Sequence, residues 1–286
     1  MDAESEGPRY WTDTIEPQSR LFELGLSEVW RYRDLIILLV RRDFVSSYKQ
    51  TILGPVWIVI QPLITTLMYV FIFGNIAKLS TDGLPVLLFY MSGVTIWNYF
   101  AQTLTATASV FRDNAAIFGK VYFPRLAIPL SIVISSLIRF AVQFTLFLIV
   151  CAYYSVMIQT IHSNAILLLM PLLIVIMGLL SLGLGMIFSS LTTKYRDLAI
   201  LLTFGIQLAM YASPVIYPVS SVPQNYRWLL QINPITPLIE TLRYGFLGSG
   251  TFSWPSLCQS AVVTIVILLV GIIIFNRTQK SFTDTV

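Results

Sequence analysis

Three lines of polar and aromatic residues interrupt the apolar stretches of this chain. Trp57, Gln61, Thr65 and Tyr69 follow one another at four-residue steps, and Thr203, Gln207 and Tyr211 repeat the same Thr, Gln and Tyr. Asn98, Gln102, Thr105 and Ser109 form a third set at helical spacing. Residues four apart lie on one face of a helix, so each set is a stripe. Amides and hydroxyls hydrogen-bond sugar hydroxyls, and aromatic faces suit sugar rings, so a conduit for carbohydrate would use this mixture. The same groups also suit a plainer role, bonding neighbouring helices at about 0.6 kcal/mol per bond. A lone charge, Arg139, shares a face with Ser135, Ser136 and Gln143 inside another apolar stretch. A charge at mid-membrane costs at least about 2.5–3.5 kcal/mol. Arg139 is therefore expected to face protein or water, as a structural anchor or on a substrate path.

Other chemistries find no support. Gly119-Lys120 is followed by Val121 and lacks the upstream glycine of a phosphate-binding loop, so ATP hydrolysis is not expected of this chain. The single histidine, His162, has no cysteine or carboxylate cluster nearby and reads as a loop residue, so no metal site is expected. No paired carboxylates fall within the apolar stretches, and Glu240 lies in a broken outer segment. An ion-coupled carrier would place acidic groups or unwound half-helices at mid-depth. Cys151 and Cys258 sit in apolar surroundings and read as structural thiols.

The elements that must position these residues are membrane helices. Of 286 residues, 56% are hydrophobic and 11% charged, against about 25% charged in soluble domains. About 20 helical residues cross a hydrocarbon core of ~30 Å. Six segments qualify: 52–75, 84–106, 127–152, 165–190, 198–217 and 256–275. The expected fold is thus an all-α integral membrane protein with six transmembrane helices. Ser181, Gly185 and Ser189 give the fourth segment a small-residue face for close helix contact. Lys and Arg concentrate on one side: Arg9, Arg20, Arg31, Arg33, Arg41, Arg42 and Lys49, then Arg112, Lys120 and Arg125, then Lys194 and Arg196, then Arg277 and Lys280. Only Lys78, Arg227 and Arg243 fall opposite. Cytoplasmic loops carry the excess of Lys and Arg, which places both termini in the cytoplasm.

Residues 1–26 form a polar cytoplasmic segment without the apolar run of a signal peptide. Residues 27–48 read as an amphipathic interface helix, too short in its apolar run to span. Residues 107–126 form a cytoplasmic loop and 276–286 a cytoplasmic tail. Residues 218–250 are broken by prolines, among them Pro223, Pro234 and Pro237, and suit short re-entrant outer helices before the last span.

The segment RDFVSSYKQTILGPVWIVIQPL, residues 42–63, resembles the start of the first span in permease subunits of polysaccharide ABC exporters, the class that exports O-antigen, capsule and teichoic acid chains. The matching residues are Tyr48, Lys49, Gln50, Leu53, Gly54, Trp57, Gln61 and Pro62. NAAIFGKVYFPRLAIPLS at 114–131, KYRDL at 194–198 and NPITPLIETLRYGFLG at 233–248 extend the likeness. The resemblance implies a homodimer working with two cytoplasmic ABC ATPase subunits, which bind the ATP and Mg. The location it implies is the bacterial cytoplasmic (inner) membrane. Its implied substrate is a polysaccharide linked to a polyprenyl diphosphate, which Arg41, Arg42 and Lys49 would meet through charge-assisted bonds. These cations serve topology equally well. Arg112, Asp113, Asn114, Phe118, Lys120 and Tyr122 would couple to the ATPase, and 218–250 would form an outer gate. Two other readings stay open: an ABC permease for a small amphiphile such as a drug or lipid, with a more apolar path, and a stand-alone secondary carrier.

Overall fold

The computed structural model describes residues 30–49, 51–115, 123–159 and 161–283, and among them every regular element is helical. Helix α1 spans Arg33–Tyr48. A turn at Gly54–Val56 leads into α2, Trp57–Tyr69, which continues as a wider π-helix over Val70–Ile76. Gly54 holds φ +53° with open space around it, so the left-handed backbone, not crowding, calls for glycine there. Helix α3 is Val86–Ala108, followed by the short α4, Val110–Asp113. Helix α5, Ala127–Tyr153, ends in a second π-helical stretch, Tyr154–Ile158. Helix α6 is Met170–Lys194 and α7 is Leu198–Tyr211. Two short helices, α8 at Arg227–Ile232 and α9 at Thr236–Leu247, precede the last, α10, Trp254–Thr283.

Among the described residues, four helical stretches are long and apolar enough to cross a membrane: Gly54–Ile76, Ala127–Ile158, Ala165–Lys194 and Trp254–Thr278. The expected second and fifth spans differ from these for separate reasons. Helix α3 has the length, at 23 residues, but carries too many polar residues to match the other four. It can do so because 16 of those residues are buried, against α6, α5, α2 and α9. Helix α7 is apolar but only 14 residues long, about 21 Å at 1.5 Å per residue.

Packing in lipid cannot rely on the hydrophobic effect, so close contact between small residues carries weight. Helices α6 and α10 cross at Gly183 and Gly271, where a Cβ on Gly271 would stand 2.5 Å from the Gly183 carbonyl oxygen. Ser181, Gly185 and Ser189 are buried, and a Cβ on Gly185 would strike Thr107 of α3. A second apolar cluster, at one end of the bundle, ties Ile36 and Leu39 of α1 to Phe111, Ile128, Met186 and Phe275. Ile37 and Leu38 of α1 stay exposed, as suits a helix lying against lipid. The two cysteines do not pair: Cys151 is buried and Cys258 exposed.

Candidate functional site

Two of the three stripes meet. Trp57, Gln61 and Thr65 on the first three turns of α2 face Asn98 and Gln102 of α3 across a cleft of about 450 Å³. Arg139 and Gln143 of α5 form a third wall, and Ser47 and Tyr48 at the end of α1 close a fourth. Ile58 and Pro62 complete the lining. Pro62 stands inside α2 and removes the helical bond to the Ile58 carbonyl at the level of the cleft.

The polar groups here are lightly committed to one another. Asn98 donates from Nδ2 to Gln143 Oε1 at 3.4 Å, and Thr65 Oγ1 donates to the Gln61 carbonyl at 3.0 Å. The side-chain amides of Gln61 and Gln102 have no protein partner among the described residues. Arg139 donates from Nη2 to Ser47 Oγ at 3.0 Å and lies 5.9 Å from the Tyr48 ring centroid, while its Nε has no hydrogen-bond partner. It is the one charged side chain among the described residues lining the cleft.

Other predicted residues lie elsewhere. Tyr69, at the far end of the first stripe, donates from its hydroxyl to Met210 Sδ at 3.3 Å and packs edge-on against Tyr90. Thr203, Gln207 and Tyr211 sit on the exposed side of α7 beside Ile200, Phe204 and Leu208. This stripe does not reach the cleft, although Thr203 borders another hollow of about 460 Å³ with Arg112, Thr193 and Arg196. Arg41 and Lys49 are exposed, and Arg42 pairs with Asp43 at 2.9 Å. None of these three cations lines the cleft.

Around the cytoplasmic loop expected at 107–126, Arg112 and Asp113 pair at 3.0 Å with largely exposed side chains. Asn114 turns inward. It is buried, donates to the Val110 carbonyl at 3.1 Å and accepts from Arg42 Nη2 at 3.5 Å. Burial lowers the pKa of Arg125 below the usual arginine value. Phe118, Lys120 and Tyr122 lie outside the described residues.

Sequence position alone puts Arg243 and Glu240 in a broken outer segment, yet both are buried on α9, 3.4 Å apart. Arg243 donates from Nη1 to the Pro214 carbonyl at 2.6 Å, from Nη2 to the Val215 carbonyl at 3.0 Å and from Nε to Ser92 Oγ at 3.2 Å. Its guanidinium lies 3.7 Å from the Phe89 ring centroid. Glu240 Oε2 accepts from the backbone N–H of Thr251 at 3.1 Å. The pair thus pins α9 to α3 and to the turn after α7. The i,i+3 spacing of a Glu and an Arg in an apolar segment was the available signal.

A bundle of apolar helices enclosing a polar, singly charged cleft is the architecture of a membrane permease, and the comparisons agree. Residues 34–247 match the ABC-2 type transporter family. The chain belongs to that family and is a multi-pass protein of the inner membrane. It is 28% identical over 251 residues to the O-antigen export system permease protein RfbA of Klebsiella pneumoniae, covering 88% of this chain and 94% of that one. The RfbA of Myxococcus xanthus is 26% identical over 261 residues, covering 91% and 98%. The polysialic acid transport protein KpsM of Escherichia coli is 22% identical over 244 residues, covering 84% and 92%.

Proposed function

We propose that this chain is the channel-forming subunit of an ABC exporter that moves a polysaccharide linked to a lipid diphosphate out across the cytoplasmic membrane. A second copy completes the channel, and separate ATPase subunits supply the energy. The observation that carries this reading is the convergence of Trp57, Gln61, Thr65, Asn98 and Gln102 on one cleft. Its uncommitted amides and exposed indole suit sugars, whereas a small amphiphile would be served by an apolar wall. The relatives named for O-antigen export and polysialic acid transport support the same substrate class.

Six spans with both termini inside remain the topology of this proposal. In it α3 crosses within the bundle, and α7 crosses with help from residues 212–217 that follow it. Residues 107–126 couple to the ATPase through the exposed Arg112, with Asn114 holding the loop to α1. Helices α8 and α9 then stand at the outer face as a gate.

The test is ATP hydrolysis by the chain co-purified with the ATPase encoded beside it, with and without the cell's lipid-linked glycan. Turnover should rise when the glycan is added. Failure to form a complex with any ATPase would refute both ABC readings, and a complex indifferent to glycan but stimulated by small amphiphiles would refute the polysaccharide.

A further inference from the structure

Among the described residues, the cleft is lined by a cation and no anion. Arg139 stands there with one hydrogen bond, to Ser47 Oγ, and an unpartnered Nε, although a guanidinium offers five N–H donors. No Asp or Glu among the described residues lines the cleft. An intramembrane charge is retained where it meets water, a partner or a ligand, and among the described residues Arg139 has no protein counter-charge in the cleft. Other free donors line the same cleft: among the described residues the amide groups of Gln61 and Gln102 have no protein partner, and Gln143 engages only its carbonyl oxygen. Nitrogen donors around one fixed positive charge are what a phosphate oxygen requires.

Depth argues the same way. The cleft occupies the first three turns of the 23-residue stretch Gly54–Ile76, at the level where α1 ends. Tyr48 and Trp57 flank it, and such aromatic residues favour the headgroup zone of a bilayer. With the topology proposed above, that zone is the inner leaflet, where a lipid-linked phosphate would arrive.

We infer that Arg139, with Gln61, Gln102 and Gln143, forms a binding site for the phosphate groups of a membrane-anchored lipid. This inference rests on the proposed export function for its natural ligand, a lipid diphosphate. It moves the phosphate contact away from Arg41, Arg42 and Lys49 and into the cleft. An ordinary anionic headgroup shares the chemistry, so the two sources are separated by experiment.

The full chain, in nanodiscs of phosphatidylcholine, is titrated with farnesyl diphosphate and, separately, with phosphatidylglycerol, and bound lipid is counted by native mass spectrometry. Wild type should bind farnesyl diphosphate at least about tenfold more tightly than phosphatidylglycerol. Arg139→Gln should weaken binding about tenfold or more, the effect of losing a charge-assisted bond. Arg139→Lys, which keeps the charge without the fork, should recover part of it. Lys78→Gln, a charge change outside the cleft, should bind as wild type does. Wild-type affinity in Arg139→Gln would overturn the site. If that variant fails to fold, undiminished binding in the Gln61→Ala/Gln102→Ala pair would overturn it. Equal, Arg139-dependent binding of both lipids would overturn the diphosphate as ligand and assign the site to a resident headgroup. Arg139-dependent binding without glycan-stimulated hydrolysis would overturn the export reading alone. Stimulated hydrolysis with binding indifferent to Arg139 would overturn this inference alone.

Discussion

Replacing Arg243 by Met should release α9 from the bundle. The guanidinium donates to the Pro214 and Val215 carbonyls, to Ser92 and to Glu240, all from a side chain 1% exposed. Methionine fills similar space but supplies no donor and leaves Glu240 as a buried charge held by Thr251 alone. Breaking a buried pair by removing one partner costs about 3–5 kcal/mol. At 1.4 kcal/mol per decade, that is roughly a hundred- to a few-thousandfold in the equilibrium between docked and released α9. Hydrogen exchange on the purified protein should show the amides of 236–247 and of 212–217 losing protection by that order, with α6 and α10 little changed. The double variant Arg243→Met/Glu240→Leu removes both charges and should regain much of the loss. Unchanged protection in Arg243→Met would refute the pinning role. A double variant as damaged as the sum of its singles would refute the assignment of the loss to a stranded carboxylate.

Gly271→Leu should lower the melting temperature of the detergent-purified protein, because its Cβ meets the Gly183 carbonyl, backbone that cannot rotate aside. The expected cost is about 1–3 kcal/mol or more, and an unchanged melting curve would place the α6–α10 crossing elsewhere. Arg112→Glu reverses a charge whose side chain is 70% exposed. It should reduce ATPase co-purification severalfold while membrane insertion stays normal, and full recovery of the complex would remove residues 107–126 from coupling.

Four-residue spacing identified the faces of α2 and α3 that form the cleft, since periodicity reports which residues of one helix share a side. It marked Thr203, Gln207 and Tyr211 just as clearly, yet these lie on the exposed side of α7. Spacing says nothing of which neighbour covers a face, and only packing separates a cleft wall from an outer surface. Arg139 was visible as a charge in an apolar run, and its partner Ser47, 92 residues earlier, was not. The buried role of Arg243 was hidden for the same reason: Phe89 and Pro214 become its neighbours only through the fold. Helix length and hydropathy by themselves pick out four of the six expected spans, because in α3 tertiary burial shelters polar residues and in α7 a turn cuts the helix short.

In the proposed six-span topology, that burial of α3 has a consequence for biogenesis. Its sequence, VLLFYMSGVTIWNYFAQTLTATA, is the weakest insertion signal among the long helices, yet it becomes the centre of the bundle. Synthesis delivers it before α5 and α6, the two helices that will cover most of its polar face. The nascent chain must therefore keep α3 beside the translocation machinery, or paired with α2, until those partners emerge. Any change that delays α5 or α6 would strand the central helix first, so defects far from the cleft would surface as topological errors before they surfaced as lost transport.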